Sequence, residues 1–318
     1  HSFLQIKIHE TGHQINAEDR RAFSRVEKLF NSYKRYIENY GIVKPELLDE
    51  INEYAKKYMN NVDWGIVNRE LTYDNAIERI NIIIFGLEHT TIIPYLLYLM
   101  MNATLDEVNP ILHYMESYLM RRLICKVSAQ NYNQLFTDSL IGNNVLSYNQ
   151  LADFISNLSG TINYMPSDEE VMRGFSESKL TNKQAKGILY LIESSIRDNA
   201  RHGNSLRGLS HYSLEHVMPK KWRNNWNQLI DQHDIERRDR LLLTLGNLTI
   251  ISNSLNISIR DADWDTKKRG RGRLGGLIQY ASGLDTFSQY LALDEWNEKV
   301  IIERSHFLGK QAIRIWPR

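Results

Sequence analysis

The sequence predicts a mainly α-helical fold. An all-helical region, residues 1–180, precedes a second domain, residues 181–318, in which two short strands pack with further helices. Apolar residues in the first region recur at alternating spacings of three and four, which is the period of an amphipathic helix. Two short stretches in the second domain, 212–217 and 248–251, are instead expected to form strands, and the second is apolar and β-branched. A chain of 318 residues, 42% of them hydrophobic, is long enough for two domains with a sizeable core.

Local signals set the helix boundaries in the first region. Asn16 suits the N-cap of a helix that ends at Gly41, and Pro45 suits the first turn of the next helix. The apolar stripe of the first helix is formed by Phe23, Val26, Phe30, Tyr33 and Ile37. Further amphipathic stretches predict helices at about 74–88, 92–101, 104–125, 147–157 and 168–176.

The second domain is predicted to begin with a helix over about 181–200, for which Thr181 is the N-cap. The stretch 199–210, which is rich in Gly, Asn, Ser and Arg, then separates this helix from the first strand. A helix over roughly 261–268 follows the second strand. The last helix, Asp294–Trp316, carries large apolar residues that we expect to pack on a core.

Composition excludes several classes of protein. The lone Cys125 excludes an internal disulfide framework and a cysteine-rich zinc site, and it fits a reducing cytoplasm. The opening residues, His1-Ser2-Phe3, lack the basic region and apolar core of a signal peptide. The most apolar stretch, Ile80–Met101, is interrupted by Glu88 and Pro94, so we expect buried helices there and no membrane span.

Charge is divided unevenly along the chain. Residues 1–180 contain 17 Lys and Arg against 23 Asp and Glu, a net charge of −6, whereas residues 181–318 contain 22 against 15, a net charge of +7. This asymmetry predicts that nucleic acid binds the C-terminal half. The densest basic stretch, Lys267–Arg273, has five cations in seven positions, and we expect it to contact phosphates.

Four residues of the second domain form a pattern that suits phosphodiester hydrolysis. Glu215 and His216 are adjacent in the first strand, Asn247 begins the second strand, and Asn256 follows it. Histidine is a suitable general base near neutral pH, because its ordinary pKa is about 6.5. Carboxylate and amide oxygens are ligands that Mg²⁺ accepts, and this ion keeps several waters, so one or two protein ligands suffice. The pattern therefore predicts metal-assisted attack of water on a phosphodiester.

These residues, with Pro219 three positions after the histidine, resemble the HNH nuclease domain that closes GmrSD-type restriction and phage-defence proteins. The resemblance continues past the motif through Asp261–Lys268 and Asp294–Asn297 to the terminal Ile315–Pro317. It implies a ββα-metal arrangement of strand, loop, strand and helix, and a metal-dependent DNA endonuclease of a restriction or antiviral defence system.

The same resemblance assigns a role to each motif residue. It implies that His216 is the general base on water, that Glu215 and Asn256 hold Mg²⁺ or Mn²⁺, and that Asn247 orients the loop after the histidine. A single site of this kind cuts one strand per event, so we expect nicking of DNA. In GmrSD-type proteins a nucleotide-dependent sensing domain precedes the helical region. No P-loop signature occurs in this sequence, so we expect such a domain to lie outside it.

Basic residues beyond the motif are expected to bind the DNA backbone. Many HNH sequences carry a lysine or arginine three or four residues after the last asparagine, and Arg260 is the closest match here. The other expected phosphate contacts are Lys267, Lys268, Arg269, Arg271 and Arg273. No helix rich in base-reading residues stands beside the motif, so we expect little sequence preference.

Two alternatives fit parts of the sequence. The nuclease site could be inactive, which would leave a DNA-binding or interaction domain. His9, Glu10 and His13 also fit the H-E-x-x-H pattern of zinc metalloproteases, in which two histidines on one helical face bind the metal. Against this alternative, the preceding stretch 3–8 is strand-like and Gly12 weakens the required helix.

Overall fold

The structure, a computed structural model, describes residues 1–10, 15–71, 75–198, 206–253, 261–271, 274–281 and 283–318. These residues are mainly helical, as the sequence predicts. The helices are α1 (Ser2–Glu10), α2 (Ala17–Phe23), α3 (Leu29–Tyr40), α4 (Lys44–Asn61), α5 (Ala76–Asn81), α6 (Ile93–Asn102), α7 (Leu105–Ile124), α8 (Tyr148–Ser156), α9 (Asp168–Glu177), α10 (Asn182–Ile196), α11 (Gln232–Leu241), α12 (Trp264–Arg269), α13 (Leu277–Ala281) and α14 (Glu298–Ile315). Two π-helical segments are Ile82–Gly86 and Gln134–Ile141. The strands are β1 (Tyr212–His216), β2 (Leu248–Ser252), β3 (Gly270–Arg271) and β4 (Leu274–Gly275).

The chain divides into two compact units that are not successive in sequence. The first unit contains residues 1–64, 88–114 and 128–164, and the second contains residues 65–87, 115–127 and 165–318. The predicted domain limits, 1–180 and 181–318, stay a prediction about domains. None of the helices in the described part of the chain is long and apolar enough to cross a membrane.

In the first unit, α1 corrects one expectation from the sequence. The stretch 3–8 was expected to be strand-like, but it is helical, and Phe3, Leu4, Ile6 and Ile8 are all buried. A short helix that is buried on nearly every side has no one-sided apolar pattern. Periodicity alone therefore does not distinguish it from a buried strand.

Caps set the following helices of the first unit. Asn16 Oδ1 accepts a hydrogen bond from the Asp19 backbone N–H at 2.8 Å, and Gly41 ends α3 with a φ of 64°. The single helix expected between these residues is interrupted, because α2 ends at Phe23 and the N–H of its C-cap, Ser24, bonds back to the carbonyls of Ala22 and Arg20. Pro45 lies in the first turn of α4, as expected.

The second unit contains the larger of the two sheets that the described residues form. Strands β1 and β2 pair antiparallel, with Tyr212 opposite Ser252 and His216 opposite Leu248. Helix α10 packs on both strands and begins at a Thr181 cap with the reciprocal Gln184 bond. Helix α14 packs on the turn Leu245–Asn247 that leads into β2.

Three helices of the second unit begin where the sequence did not place them. Helix α11 lies within the stretch expected to be a loop, α12 begins at Trp264, and α14 begins at Glu298. Each starts after a side chain that accepts backbone N–H bonds, namely Asp231, Asp263 and Asn297. These N-caps outweigh the short apolar periodicity of the segments.

A buried polar network surrounds Trp316 in the second unit. Arg79 Nε donates to Glu116 Oε2 at 2.8 Å, and Trp316 Nε1 donates to Glu116 Oε1 at 2.7 Å. Arg121 donates to the carbonyls of Trp316 and Pro166 at 2.7 and 2.9 Å. Segments near residues 79 and 116–121 are therefore built into the same core as the C-terminal helix.

Candidate functional site

Strand β1 sets the directions of the first two motif residues. Glu215 lies opposite Thr249 and is only 5% exposed, whereas His216 lies opposite Leu248 and is half-buried. Neighbouring residues of a strand point to opposite faces. The carboxylate therefore points into the unit, while the imidazole remains within reach of solvent.

Asn247 holds the residues that directly follow His216. Its side chain is fully buried, and its Oδ1 accepts hydrogen bonds from the Met218 N–H at 2.9 Å and from Trp296 Nε1 at 3.0 Å. Its Nδ2 donates to the carbonyls of Met218 and Leu242 at 2.8 and 3.1 Å. Both donors and both lone pairs of the amide are thus in use. The backbone carbonyl of Asn247 also accepts the Val217 N–H at 3.0 Å.

Arg304 supports the same turn from α14, and sequence reasoning did not single it out. Its buried guanidinium donates from Nη1 to the carbonyls of Leu245, Gly246 and Leu248 at 3.2, 2.8 and 2.7 Å. Burial lowers the pKa of Arg304 to about 10, which leaves it charged near neutral pH. No sequence motif signals this residue, because its partners are backbone carbonyls distant in the chain.

Lys267 lies on α12, where its side chain is fully buried. Its Nζ donates hydrogen bonds to Glu215 Oε1 and, at 2.7 Å, to the carbonyl oxygen of His216. Burial raises the pKa of Glu215 and lowers the pKa of Lys267, and the attraction between the two charges opposes both shifts. Lys267 therefore belongs to the interior of the site, although the sequence placed it on a phosphate-binding surface.

Lys268 is also buried rather than on the surface. Its Nζ donates to the Leu293 carbonyl at 2.8 Å and lies 5.5 Å from the centre of the Trp264 ring. Arg269, the next residue, is exposed and pairs with Asp265 at 2.7 Å. The side chain of Arg271 and all of Asn256, Arg260 and Arg273 lie outside the described residues.

The electrostatic surroundings of His216 favour a neutral imidazole. Burial, reinforced by the charges of Lys220 and Lys267, lowers the pKa of His216 to about 4. Lys220 and Lys221, together with Arg223, are exposed in the segment that follows Pro219. Sequence reasoning overlooked these three cations, although they directly follow the motif.

Two tryptophans hold the segment that follows His216 and Pro219 in place. Trp222 is buried, donates from Nε1 to Asp239 at 2.8 Å, and has the guanidinium groups of Arg223 and Arg238 each 4.5 Å from its ring centre. Trp226 Nε1 donates to the Ala262 carbonyl at 3.1 Å. Both rings therefore serve packing, and Trp226 joins the segment to the start of the stretch that carries Lys267.

Two residues of the metalloprotease pattern, His9 and Glu10, contact other side chains of the protein. His9 Nε2 lies 3.1 Å from Asp138 Oδ1, and Glu10 accepts hydrogen bonds from Lys7 and Tyr54. His13 lies outside the described residues. Within the described ranges, one group of three residues is close enough to share a metal ion, the exposed Asp231, His233 and Asp234. It lies at the start of α11, where Asp231 is the helix cap.

Comparison with known families supports a nuclease. Residues 165–311 match the family described as GmrSD restriction endonucleases, C-terminal domain. The match contains β1, β2 and α12, and therefore Glu215, His216 and Asn247. Among curated proteins, none matches the chain. The C-terminal part of the chain is thus similar to a restriction-endonuclease domain, which implies a nuclease role and DNA as the substrate.

Proposed function

We propose that the second unit is a metal-dependent HNH endonuclease of a restriction or antiviral defence system, which nicks DNA with little sequence preference. One observation carries the proposal. A half-buried His216 directly follows Glu215 in a strand whose continuation is held by Asn247, within the stretch similar to GmrSD nucleases. A histidine base and a carboxylate oxygen donor are the groups that metal-assisted hydrolysis needs.

Glu215 supplies the described oxygen donor for a hard divalent ion, a carboxylate whose Oε1 accepts a hydrogen bond from Lys267. Oxygen donors suit Mg²⁺ or Mn²⁺. The proposed second ligand, Asn256, lies outside the described residues. A bound ion would supply positive charge to the phosphate and to the departing oxygen.

The remaining steps belong to residues of the chain. His216 accepts a proton from the attacking water at an imidazole nitrogen, while Asn247 keeps the following backbone in place. The water oxygen bonds to phosphorus as the bond to the 3′ oxygen breaks, and the departing 3′ oxygen takes a proton from solvent. The products are then a 5′-phosphate and a 3′-hydroxyl.

The proposed DNA contacts differ in part from those expected. Burial removes Lys267 and Lys268 from the surface. The contacts proposed for the phosphate backbone are Arg260, Arg269, Arg271 and Arg273, joined by the exposed Lys220, Lys221 and Arg223.

A plasmid assay tests this function. Purified protein should convert supercoiled plasmid to the nicked form in Mg²⁺ or Mn²⁺, and EDTA should abolish the conversion. His216→Ala should lose cleavage without unfolding, because the imidazole is only half-buried and is not part of the buried core. His306→Ala is the matched control, since His306 is exposed on α14. Full cleavage by His216→Ala would refute the assignment, and a gel shift without cleavage by the intact chain would favour an inactive DNA-binding domain.

A further inference from the structure

The buried contact between Lys267 and Glu215 joins two groups that are costly to bury singly. An ammonium or a carboxylate inside a protein is destabilising unless it is paired and hydrogen-bonded. Lys267 donates to Glu215 Oε1 and to the His216 carbonyl, so its charge is placed directly behind both motif residues of β1. The two buried charges therefore compensate each other even when no metal ion is bound.

The position of Lys267 is built into the scaffold. Asp263 caps α12 by accepting the Thr266 N–H at 2.9 Å and the Thr266 hydroxyl at 2.7 Å. On the same helix, Trp264 Nε1 and Lys268 Nζ both donate to the Leu293 carbonyl, at 3.0 and 2.8 Å. The helix is thus held at its start and along one side, and these contacts place Lys267 next to Glu215.

We propose that Lys267 is a built-in cation of the metal site, which holds Glu215 in place before an ion arrives and lowers the affinity of the site for that ion. This inference rests on the proposed function. Lys267 donates to Oε1 of Glu215, so two positive charges would face one carboxylate once an ion binds. Their repulsion weakens ion binding, and it is strong at short range in a poorly solvated site. In return, the site keeps its shape without metal.

Substitution of Lys267 separates its two effects, which are the support of Glu215 without metal and the weakening of ion binding. Lys267→Met removes the charge and keeps much of the side-chain volume. The metal-free variant should melt at a lower temperature than the wild type, because Glu215 loses its partner. Added Mn²⁺ should restore the melting temperature, and titration by electron paramagnetic resonance should show an affinity for Mn²⁺ about tenfold tighter than that of the wild type.

Lys268→Met is the matched control. It removes a neighbouring buried ammonium whose partner is a carbonyl and not a carboxylate. This variant should also melt earlier, but Mn²⁺ should not restore it, and its affinity for Mn²⁺ should equal that of the wild type. In the double variant Glu215→Gln with Lys267→Met, both charges are absent, so we expect folding without any Mn²⁺ dependence.

Each outcome decides the proposal. Folding of Lys267→Met only in the presence of Mn²⁺ supports it in its strongest form. An unchanged or weaker affinity for Mn²⁺, or failure to fold with and without the ion, overturns it. Failure of the proposed function is seen separately, as wild-type protein that does not cut plasmid or whose Mn²⁺ binding survives Glu215→Gln.

Discussion

At the scale of single residues, the buried side chain of Asn247 connects three parts of the site. One amide group joins the strand that carries His216, the end of α11 and the ring of Trp296. A side chain of another type does not reproduce two donors and two acceptors in this geometry. The identity of this residue is therefore set by its surroundings, before any role in chemistry is considered.

Asn247→Ala should consequently impair both stability and cleavage. It leaves buried partners on Met218, Leu242 and Trp296 without a hydrogen bond, and we expect a loss of about 3 kcal/mol in the free energy of unfolding. Urea denaturation measures that loss, and cleavage is then compared at a temperature where the variant is folded. Asn253→Ala is the control, because Asn253 is exposed. Wild-type cleavage by folded Asn247→Ala would contradict a positioning role.

At the scale of elements, the turn Leu245–Asn247 and helix α14 approach each other closely. A Cβ at Gly246 would overlap the carbonyl oxygen of Ile301 and the hydroxyl of Ser305. Only glycine permits this approach. The turn thus depends on the helix for its position, and Asn247 depends on the turn.

Gly246→Ala should lower the free energy of unfolding by about 2 kcal/mol, since overpacked sites in well-packed interiors lose stability of this size. Plasmid cleavage should fall as well, because the turn presents Asn247. The double variant Gly246→Ala with Ser305→Ala should not recover, because a backbone carbonyl remains in the way. Recovery in chemical denaturation would show that the hydroxyl alone limits the approach.

Local signals explain which elements could be predicted from the sequence. Asn16, Gly41 and Thr181 act on their own helix ends, and the strand at 248–252 is a short, apolar, β-branched stretch. These features need no knowledge of distant contacts. The predicted roles of the motif residues stay predictions, although β1 does place Glu215 and His216 side by side.

Long-range contacts explain what could not be predicted. A basic stretch predicts exposed side chains unless the partner of each cation is known. The partner of Lys267 is Glu215, which lies 52 positions away in the sequence. Arg304 similarly binds carbonyls 56 to 59 positions earlier in the chain. Helix α11 escaped prediction for a different reason, because it is largely polar and has little apolar periodicity to detect.

At the scale of the whole molecule, the division of charge favours DNA binding by the C-terminal half. Replacing Arg269, Arg271 and Arg273 with alanine should weaken DNA binding and flatten its dependence on salt. Removal of three phosphate contacts should change the slope of log K against log salt concentration by roughly 2.7. Fluorescence anisotropy over a range of salt concentrations measures the slope. An unchanged slope would mean that the basic stretch is a solvated loop without contact to DNA.

The second unit also predicts how the chain tolerates truncation. Its core includes Arg79, Glu116 and Arg121, which lie before the stretch that matches the nuclease family. A fragment of residues 165–318 would leave the partners of Trp316 behind. We expect this fragment to lack the cooperative thermal transition that we expect of the intact chain. A sharp transition at the same midpoint, measured by circular dichroism, would argue that the fragment is self-sufficient.

The network around Trp316 also sets the order in which the molecule can be completed during synthesis. Glu116 and Arg121 leave the ribosome long before Trp316 does. Until Trp316 is synthesised, these two residues lack the hydrogen-bond partner that they have in the folded core. The turn that presents Asn247 likewise waits for Arg304. A translation product that stops short of α14 therefore carries His216 and Glu215 without the support that orders them.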